Sequence, residues 1–236
     1  MGDAAQISLN RIPSFLGLPV GDLEDLVPDQ VAIAGYFCDN LDRPAPGQRY
    51  LARQLRYAYQ SGNAPGSASG SAPENTPMNA IDLGDVNVFP LEPDKHFAAV
   101  TSQCESVLET GARLVLVGGD SSGLKALGKA VRKIKGTDVP VVSITEGITS
   151  NQSETEAVIL SVDLQQLAAI WVSQPHRLTG LSPAQMIAHI NTTPGNIVAA
   201  AVFGLAPALD SRGSTETQAA VAILKAITMR LNKGAL

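Results

Sequence analysis

The stretch Arg113-Leu-Val-Leu-Val-Gly-Gly-Asp-Ser-Ser-Gly123 carries the clearest fold signal of the chain. Its first five residues form an aliphatic run that predicts a buried strand. The glycine-rich turn that follows leads into a helix that we expect to end near Ile134. A strand, a tight turn and a helix in this order form the repeating unit of an α/β fold.

The same alternation extends along the rest of the sequence. It predicts a mostly parallel sheet covered by helices on both faces, which is a three-layer αβα architecture. We expect one domain over residues 1–236, interrupted by a flexible Gly/Ser/Ala/Pro loop over 61–77. The other strands are predicted at 30–36, 81–88, 139–144, 157–162 and 196–203, and the other helices at 49–59, from Asp94, from Ser182 and from Thr215.

Composition limits the function classes. The 236 residues are 44% hydrophobic and carry a formal net charge of −5, so the chain can build a core but is not suited to nucleic acid or an anionic membrane surface. No apolar run approaches the roughly 18 residues of a membrane helix, and the N-terminus lacks the pattern of a secretory signal. We therefore expect a cytoplasmic protein with neither nucleic acid nor membrane as partner.

Several fragments at predicted strand ends resemble the arginase/agmatinase family, the ureohydrolases. Asp82-Leu-Gly-Asp-Val86 matches the family's "DLGDV", and Val115-Leu-Val-Gly-Gly-Asp-Ser121 resembles its "LGGDHS". Four further fragments follow the family's order, at 43–49, 161–163, 179–182 and 210–215. The resemblance implies the arginase-like fold and assembly as a trimer or hexamer.

The resemblance also implies where a metal site would lie. Ureohydrolases hold two manganese ions with four aspartates and two histidines, and the metals generate a hydroxide that attacks a guanidinium carbon. Carried over by motif, the ligand positions fall on Ser121, Thr145, Gly147, Thr149, Asp163 and Gln165. Only Asp163 keeps the family's ligand, and the glutamate that meets the guanidinium group falls near Gly204. We therefore predict no manganese site and no other cofactor.

The remaining polar residues define a candidate pocket. Asp120, Asp163 and Glu146 are the candidate catalytic groups, although Asp120 could instead cap a helix, Asp163 a loop, and Glu146 could be solvated. The candidate pocket-binding residues are Ser121, Thr145, Thr149 and Gln165.

Two function classes compete for this pocket. The first is a non-catalytic pseudoenzyme that acts as a binding or structural subunit, as a homo-oligomer or joined to another enzyme. The second is a repurposed, metal-independent enzyme that hydrolyses, cyclises or dehydrates a small amine- or guanidine-bearing substrate. A small-molecule ligand fits either class.

Other features favour structural roles. Cys104 falls on the apolar stripe of the helix after Asp94 and is expected in the core, and His96, before that stripe, is expected to face solvent. The turn from Gly118 to Gly123 could bind an anion, but its spacing fits neither a dinucleotide fingerprint nor a P-loop. The serines of this turn lack the G-x-S-x-G context of a hydrolase nucleophile.

Overall fold

Six strands form the centre of the molecule. The computed structural model describes residues 13–39, 47–60, 78–145, 156–168, 180–207 and 215–233. The strands are β1 (Val31–Gly35), β2 (Ala80–Asp85), β3 (Arg113–Val117), β4 (Val141–Ser143), β5 (Ala157–Asp163) and β6 (Asn196–Phe203). They pair in the order β2-β1-β3-β6-β5-β4, and each of these pairings is parallel.

Helices cover both faces of the sheet. They are α1 (Leu51–Gln60), α2 (Pro93–Glu109), α3 (Ser122–Lys135), α4 (Pro183–Thr192) and α5 (Thr215–Lys233). One core cluster joins α1, α4 and α5 to one face, and a second joins α2 and α3 to the other. The predicted three-layer αβα fold is therefore confirmed.

The strand limits follow the sequence signals closely. Strands β3 and β6 have the predicted bounds, and Ser182 caps α4 through the predicted box with Gln185. Strand β2 ends at Asp85 rather than Val88. Gly84 has a left-handed φ of 74°, which turns the chain out of the extended conformation.

The two residues singled out on α2 are both buried. Cys104 lies in the core as predicted, and burial raises the pKa of its thiol to about 12. The prediction that His96 faces solvent is wrong, because the side chain is only 1% exposed. His96 lies one helical turn before Val100 and so continues the apolar stripe instead of preceding it.

Some expectations fall beyond what the structure describes. The predicted loop at 61–77 lies outside the described residues. Within the described ranges, no helix is both long enough and apolar enough to cross a membrane.

A buried ion pair fixes the edge of the sheet to helix α1. The Asp82 carboxylate accepts hydrogen bonds from the Arg56 guanidinium at 2.8 Å through each oxygen. It also accepts the backbone N–H groups of Phe15 and Gly84, both at 2.9 Å. Arg56 lies 4.0 Å above the Phe15 ring and reaches the half-exposed Asp85 at 2.6 Å. Both acidic residues of the "DLGD" fragment thus bind Arg56 and hold β2 against α1.

We expect Asp82→Asn to lower the free energy of unfolding by about 3 kcal/mol, because it leaves a desolvated guanidinium without its full counter-charge. Asp85→Asn is the matched control, and we expect it to cost less than about 1 kcal/mol because Asp85 is half-exposed. Urea unfolding followed by circular dichroism measures both. Equal losses in the two variants would contradict the assigned role of Asp82.

Candidate functional site

A cavity opens at the carboxyl edge of the sheet, where β3, β4, β5 and β6 end. Parallel strands bring their following loops to this edge, which is the usual ligand site of open α/β sheets. The cavity has a volume of about 310 Å³. Its described lining is Gln48, Asp120, Ser121, Ser143, Ile144, Thr145, Ser161, Asp163, Gln165, Gln166, Phe203 and Gly204.

The turn after β3 places Asp120 in the cavity wall. Gly118 and Gly119 both adopt left-handed φ values, of 106° and 65°. Backbone N–H groups of the turn then donate to three neighbouring segments: Gly118 to Val202 of β6, Gly119 to Gln48, and Asp120 to Cys38, at 2.8, 3.2 and 2.9 Å. These bonds fix the Asp120 main chain before any ligand binds.

Asp163 lies at the end of β5, in the same cavity wall. Its Oδ1 accepts the N–H of Gln165 at 2.9 Å and so caps the short 3₁₀ turn that follows the strand. Gly204 packs directly beside this carboxylate, because an added Cβ there would collide with Asp163 Oδ1. Gln48 Nε2 donates to the Gly204 carbonyl at 3.2 Å, which closes the wall between the two segments.

A buried chain of side chains runs from the cavity wall into the second core cluster. Ser122 Oγ contacts Asp120 Oδ1, and Ser122 N–H donates to the same oxygen at 3.0 Å. Tyr36 Oη lies 2.6 Å from Ser122 Oγ and 2.7 Å from His96 Nε2. The other ring nitrogen of His96 accepts the backbone N–H of Phe89 at 3.1 Å.

Burial keeps the aromatic members of this chain neutral. Desolvation raises the pKa of the Tyr36 phenol above its ordinary value. Desolvation lowers the pKa of His96, against the opposing pull of the Asp120 charge. Neutral Tyr36 and neutral His96 both keep a proton to donate.

The structure brings together most of the residues predicted for the site. Asp120, Ser121, Thr145, Asp163 and Gln165 all line the cavity. Asp120 also accepts the N–H of Ser122, the first residue of α3, so its side chain contacts the start of the helix as well as the cavity. Glu146 and Thr149 lie outside the described residues.

Sequence reasoning missed other parts of the wall. Ser143 and Ser161 are polar residues on two apolar strands, and that interruption was a usable signal. Gln48 lies in the family-like fragment at 43–49, but no binding role was predicted for it. Nothing in the sequence links Tyr36 to His96, which lies 60 residues further on.

The donor chemistry does not fit the manganese pair that the resemblance implies. Hard divalent cations prefer clusters of carboxylates, often with imidazole. Among the residues that the structure describes, no three His, Cys, Asp or Glu side chains come close enough to hold a metal ion. Two of the predicted ligand positions, Ser121 and Gln165, face the cavity with a neutral hydroxyl and a neutral amide.

Solved structures define the class to which this fold belongs. A hypothetical agmatinase from Burkholderia thailandensis is similar with a TM-score of 0.78 and 18% identity, over 94% of this chain and 91% of that one. Proclavaminate amidino hydrolase from Streptomyces clavuligerus has a TM-score of 0.74 and 16% identity, over 95% and 98%. Formiminoglutamase from Trypanosoma cruzi with Mn²⁺ has a TM-score of 0.68 and 15% identity, over 94% and 99%. At these identities the likeness concerns the fold, which is the ureohydrolase fold.

The family model adds sequence evidence to the fold. Residues 29–145 match the model of the Arginase family. The resemblance to the arginase/agmatinase family predicted from the strand-end fragments is therefore confirmed. No curated protein matches this chain in sequence.

We expect Gly119→Ala to lower the free energy of unfolding by about 2 kcal/mol or more, because the left-handed φ and the Tyr36 ring leave no room for a Cβ. The matched control is Gly128→Ala, which has open space around its Cβ within α3. We expect that control to raise stability by about 0.5–1 kcal/mol. Urea midpoints measure both, and a tolerated Gly119→Ala would contradict the role given to the turn.

Proposed function

We propose that this protein is a non-catalytic, metal-independent member of the ureohydrolase fold that binds a small organic cation in the carboxyl-edge cavity. The observation that carries the proposal is the charge of the wall. Among the described residues, the lining contains the carboxylates Asp120 and Asp163 and no Lys, Arg or His. An amine or guanidinium group is the ligand chemistry that complements such a wall.

Size and polarity support the same ligand class. A volume of about 310 Å³ is at the lower end for small-molecule sites. Hydroxyl and amide groups dominate the rest of the lining, and they supply acceptors for the N–H groups of a cation. Phe203 gives the cavity one apolar wall against which an alkyl segment could pack.

The changed ligand positions support metal independence. Ser121, Thr145 and Gln165 stand where the resemblance places charged or imidazole ligands. Their loss removes negative charge and basic donors that would compensate the dehydration of two dications. Binding through Asp120 and Asp163 requires neither ion.

A matched pair of probes tests the proposal. N-butylguanidinium and N-butylurea have nearly the same shape, but only the first is charged. We expect the wild-type protein to prefer butylguanidinium, with Kd values measured by isothermal titration calorimetry in a chelator-treated sample. Equal affinity for the two probes, or binding that appears only after manganese is added, would overturn the proposed function.

Asp163→Asn sharpens this test. Asparagine keeps an oxygen that can accept the N–H of Gln165, so the local turn should persist while the charge is lost. We expect the affinity for butylguanidinium to fall by about tenfold and that for butylurea to stay unchanged. The control is Asp138→Asn, which removes an exposed carboxylate paired with Arg132 on the surface, and we expect it to change neither affinity.

The pair of carboxylates also favours a second candidate function. Two carboxylates in one cavity can divide the roles of general acid and general base, which is the chemistry of a repurposed, metal-independent enzyme. Such an enzyme would hydrolyse, cyclise or dehydrate an amine- or guanidine-bearing substrate. Time-resolved NMR of butylguanidinium with the chelator-treated protein detects conversion of this probe. Turnover that Asp120→Asn and Asp163→Asn each abolish, in folded protein, would replace the binding proposal with this one.

We also propose that the protein is cytoplasmic and works as an oligomer, either a trimer or hexamer of its own chain or a complex with another enzyme. The oligomeric part rests on the resemblance to the arginase/agmatinase family, which implies trimers or hexamers. Native mass spectrometry of the untagged protein from the cytosolic fraction reports subunit count, partner chains and retained ligands. A bare monomer would overturn this part of the proposal.

A further inference from the structure

We propose that His96 and Tyr36 are positioning residues of the cavity: a one-way hydrogen-bond chain from His96 through Tyr36 and Ser122 holds the Asp120 carboxylate as an oriented acceptor for the ligand. The inference rests on the proposed function, because it explains how one of the two cavity carboxylates is held. It concerns residues that contact no ligand themselves and that act through Asp120.

The direction of the chain is set at its buried end. The backbone N–H of Phe89 can only donate, so His96 Nδ1 must be the acceptor in their 3.1 Å contact. A neutral imidazole with an accepting Nδ1 carries its proton on Nε2. His96 Nε2–H therefore donates to Tyr36 Oη across the 2.7 Å contact.

The direction is set independently at the cavity end. The Asp120 carboxylate accepts, so Ser122 donates its one hydroxyl proton to Asp120 Oδ1. Ser122 Oγ must then accept from the Tyr36 hydroxyl at 2.6 Å. The two ends impose the same direction on Tyr36, which accepts from His96 and donates to Ser122.

A chain with one direction points all of its donors towards its terminal acceptor. Each donor in such a series polarises the next, and the final bonds to a carboxylate are charge-assisted. Reversal of the chain would place a proton on His96 Nδ1 facing the Phe89 N–H, which can itself only donate. The arrangement thus keeps donors directed at Asp120.

The residues around this hydrogen-bond chain pack closely against the Tyr36 ring. The Tyr36 ring occupies the space that side chains at Gly119 and Gly123 would fill. The ionisable groups near it are Cys38 on the same segment, His96 from α2 and Asp120 from the turn before α3. Cys38 is itself buried, so it adds no solvent-exposed group beside the Tyr36 ring.

Removal of single links tests the proposal. We expect Tyr36→Phe and Ser122→Ala to lower the affinity for butylguanidinium by about fivefold to tenfold and to leave the affinity for butylurea unchanged. A role confined to packing would weaken both probes alike. The control is Thr101→Val, because Thr101 Oγ1 is buried without a hydrogen-bond partner among the described residues and removing it breaks no link.

Substitutions of His96 provide a conservative rescue. A glutamine amide can donate from about the same place as Nε2–H, so we expect His96→Gln to keep the preference for the cation and His96→Leu to lose it. Circular dichroism identifies any variant that fails to fold. If the His96 variants do not fold, Tyr36→Phe or Ser122→Ala alone still tests whether the chain positions Asp120.

A spectroscopic measurement tests the direction itself. In ¹⁵N-histidine-labelled wild-type protein at neutral pH, long-range ¹H–¹⁵N correlations should show His96 protonated at Nε2 and unprotonated at Nδ1. If His96 instead carries its proton on Nδ1, the proposed direction of the chain is wrong, whatever affinities the two probes show.

The affinities of the wild type separate a failure of this inference from a failure of the proposed function. If the wild type shows no preference for the cation, the proposed function fails and this inference falls with it. If the wild type prefers the cation and either link variant retains that preference in full, only this inference fails.

Discussion

The left-handed turn at Gly118 and Gly119 is the constraint on which the rest of the site depends. Without a Cβ at either position, the chain leaves β3 and immediately donates hydrogen bonds to β6 and to the segment that follows β1. The same missing side chain at Gly119 admits the Tyr36 ring. One local backbone requirement therefore fixes both the Asp120 main chain and the buried residues behind it.

This dependence separates the fold from the metal-ligand positions that the resemblance implies. The turn after β3 is held by glycine conformations and by backbone hydrogen bonds, not by groups that a metal would coordinate. The acidic residues of the "DLGD" fragment are likewise engaged by Arg56 at the sheet edge. Neither support uses the side chains of Ser121 and Gln165, which stand where the resemblance places metal ligands. Fold membership and site chemistry are separable in this architecture, so similarity of fold carries no conclusion about activity.

The sequence predicted the strands of the sheet better than the residues of the site. Strand signals are local in the sequence, whereas contacts in the site join segments that are far apart in it. Aliphatic runs such as Arg113–Val117 and Asn196–Phe203 are local, and burial on both faces makes them continuous. Strand-end motifs located Asp120 and Asp163 because both lie at the carboxyl end of a strand, Asp163 as the last residue of β5 and Asp120 three residues after β3. The burial of His96 was missed because the apolar stripe of α2 was started one residue too late, and no local pattern reports its contact with Tyr36. Gln48 was missed for the same reason, since its place in the wall depends on Gly119 and Gly204.

The two cavity carboxylates differ in their burial and in the hydrogen bonds that they accept. Asp120 is nearly fully buried, and a buried charge is tolerated only where hydrogen bonds compensate for lost hydration. Ser122 supplies two donors to one of its oxygens, so much of that compensation comes from the protein itself. Asp163 is half-buried, and the N–H of Gln165 engages one of its oxygens. A cationic ligand would therefore meet one carboxylate held rigidly in the wall and one closer to solvent. Under the proposed function, this asymmetry would give a bound cation one contact with the more exposed Asp163 and one with the rigidly held Asp120.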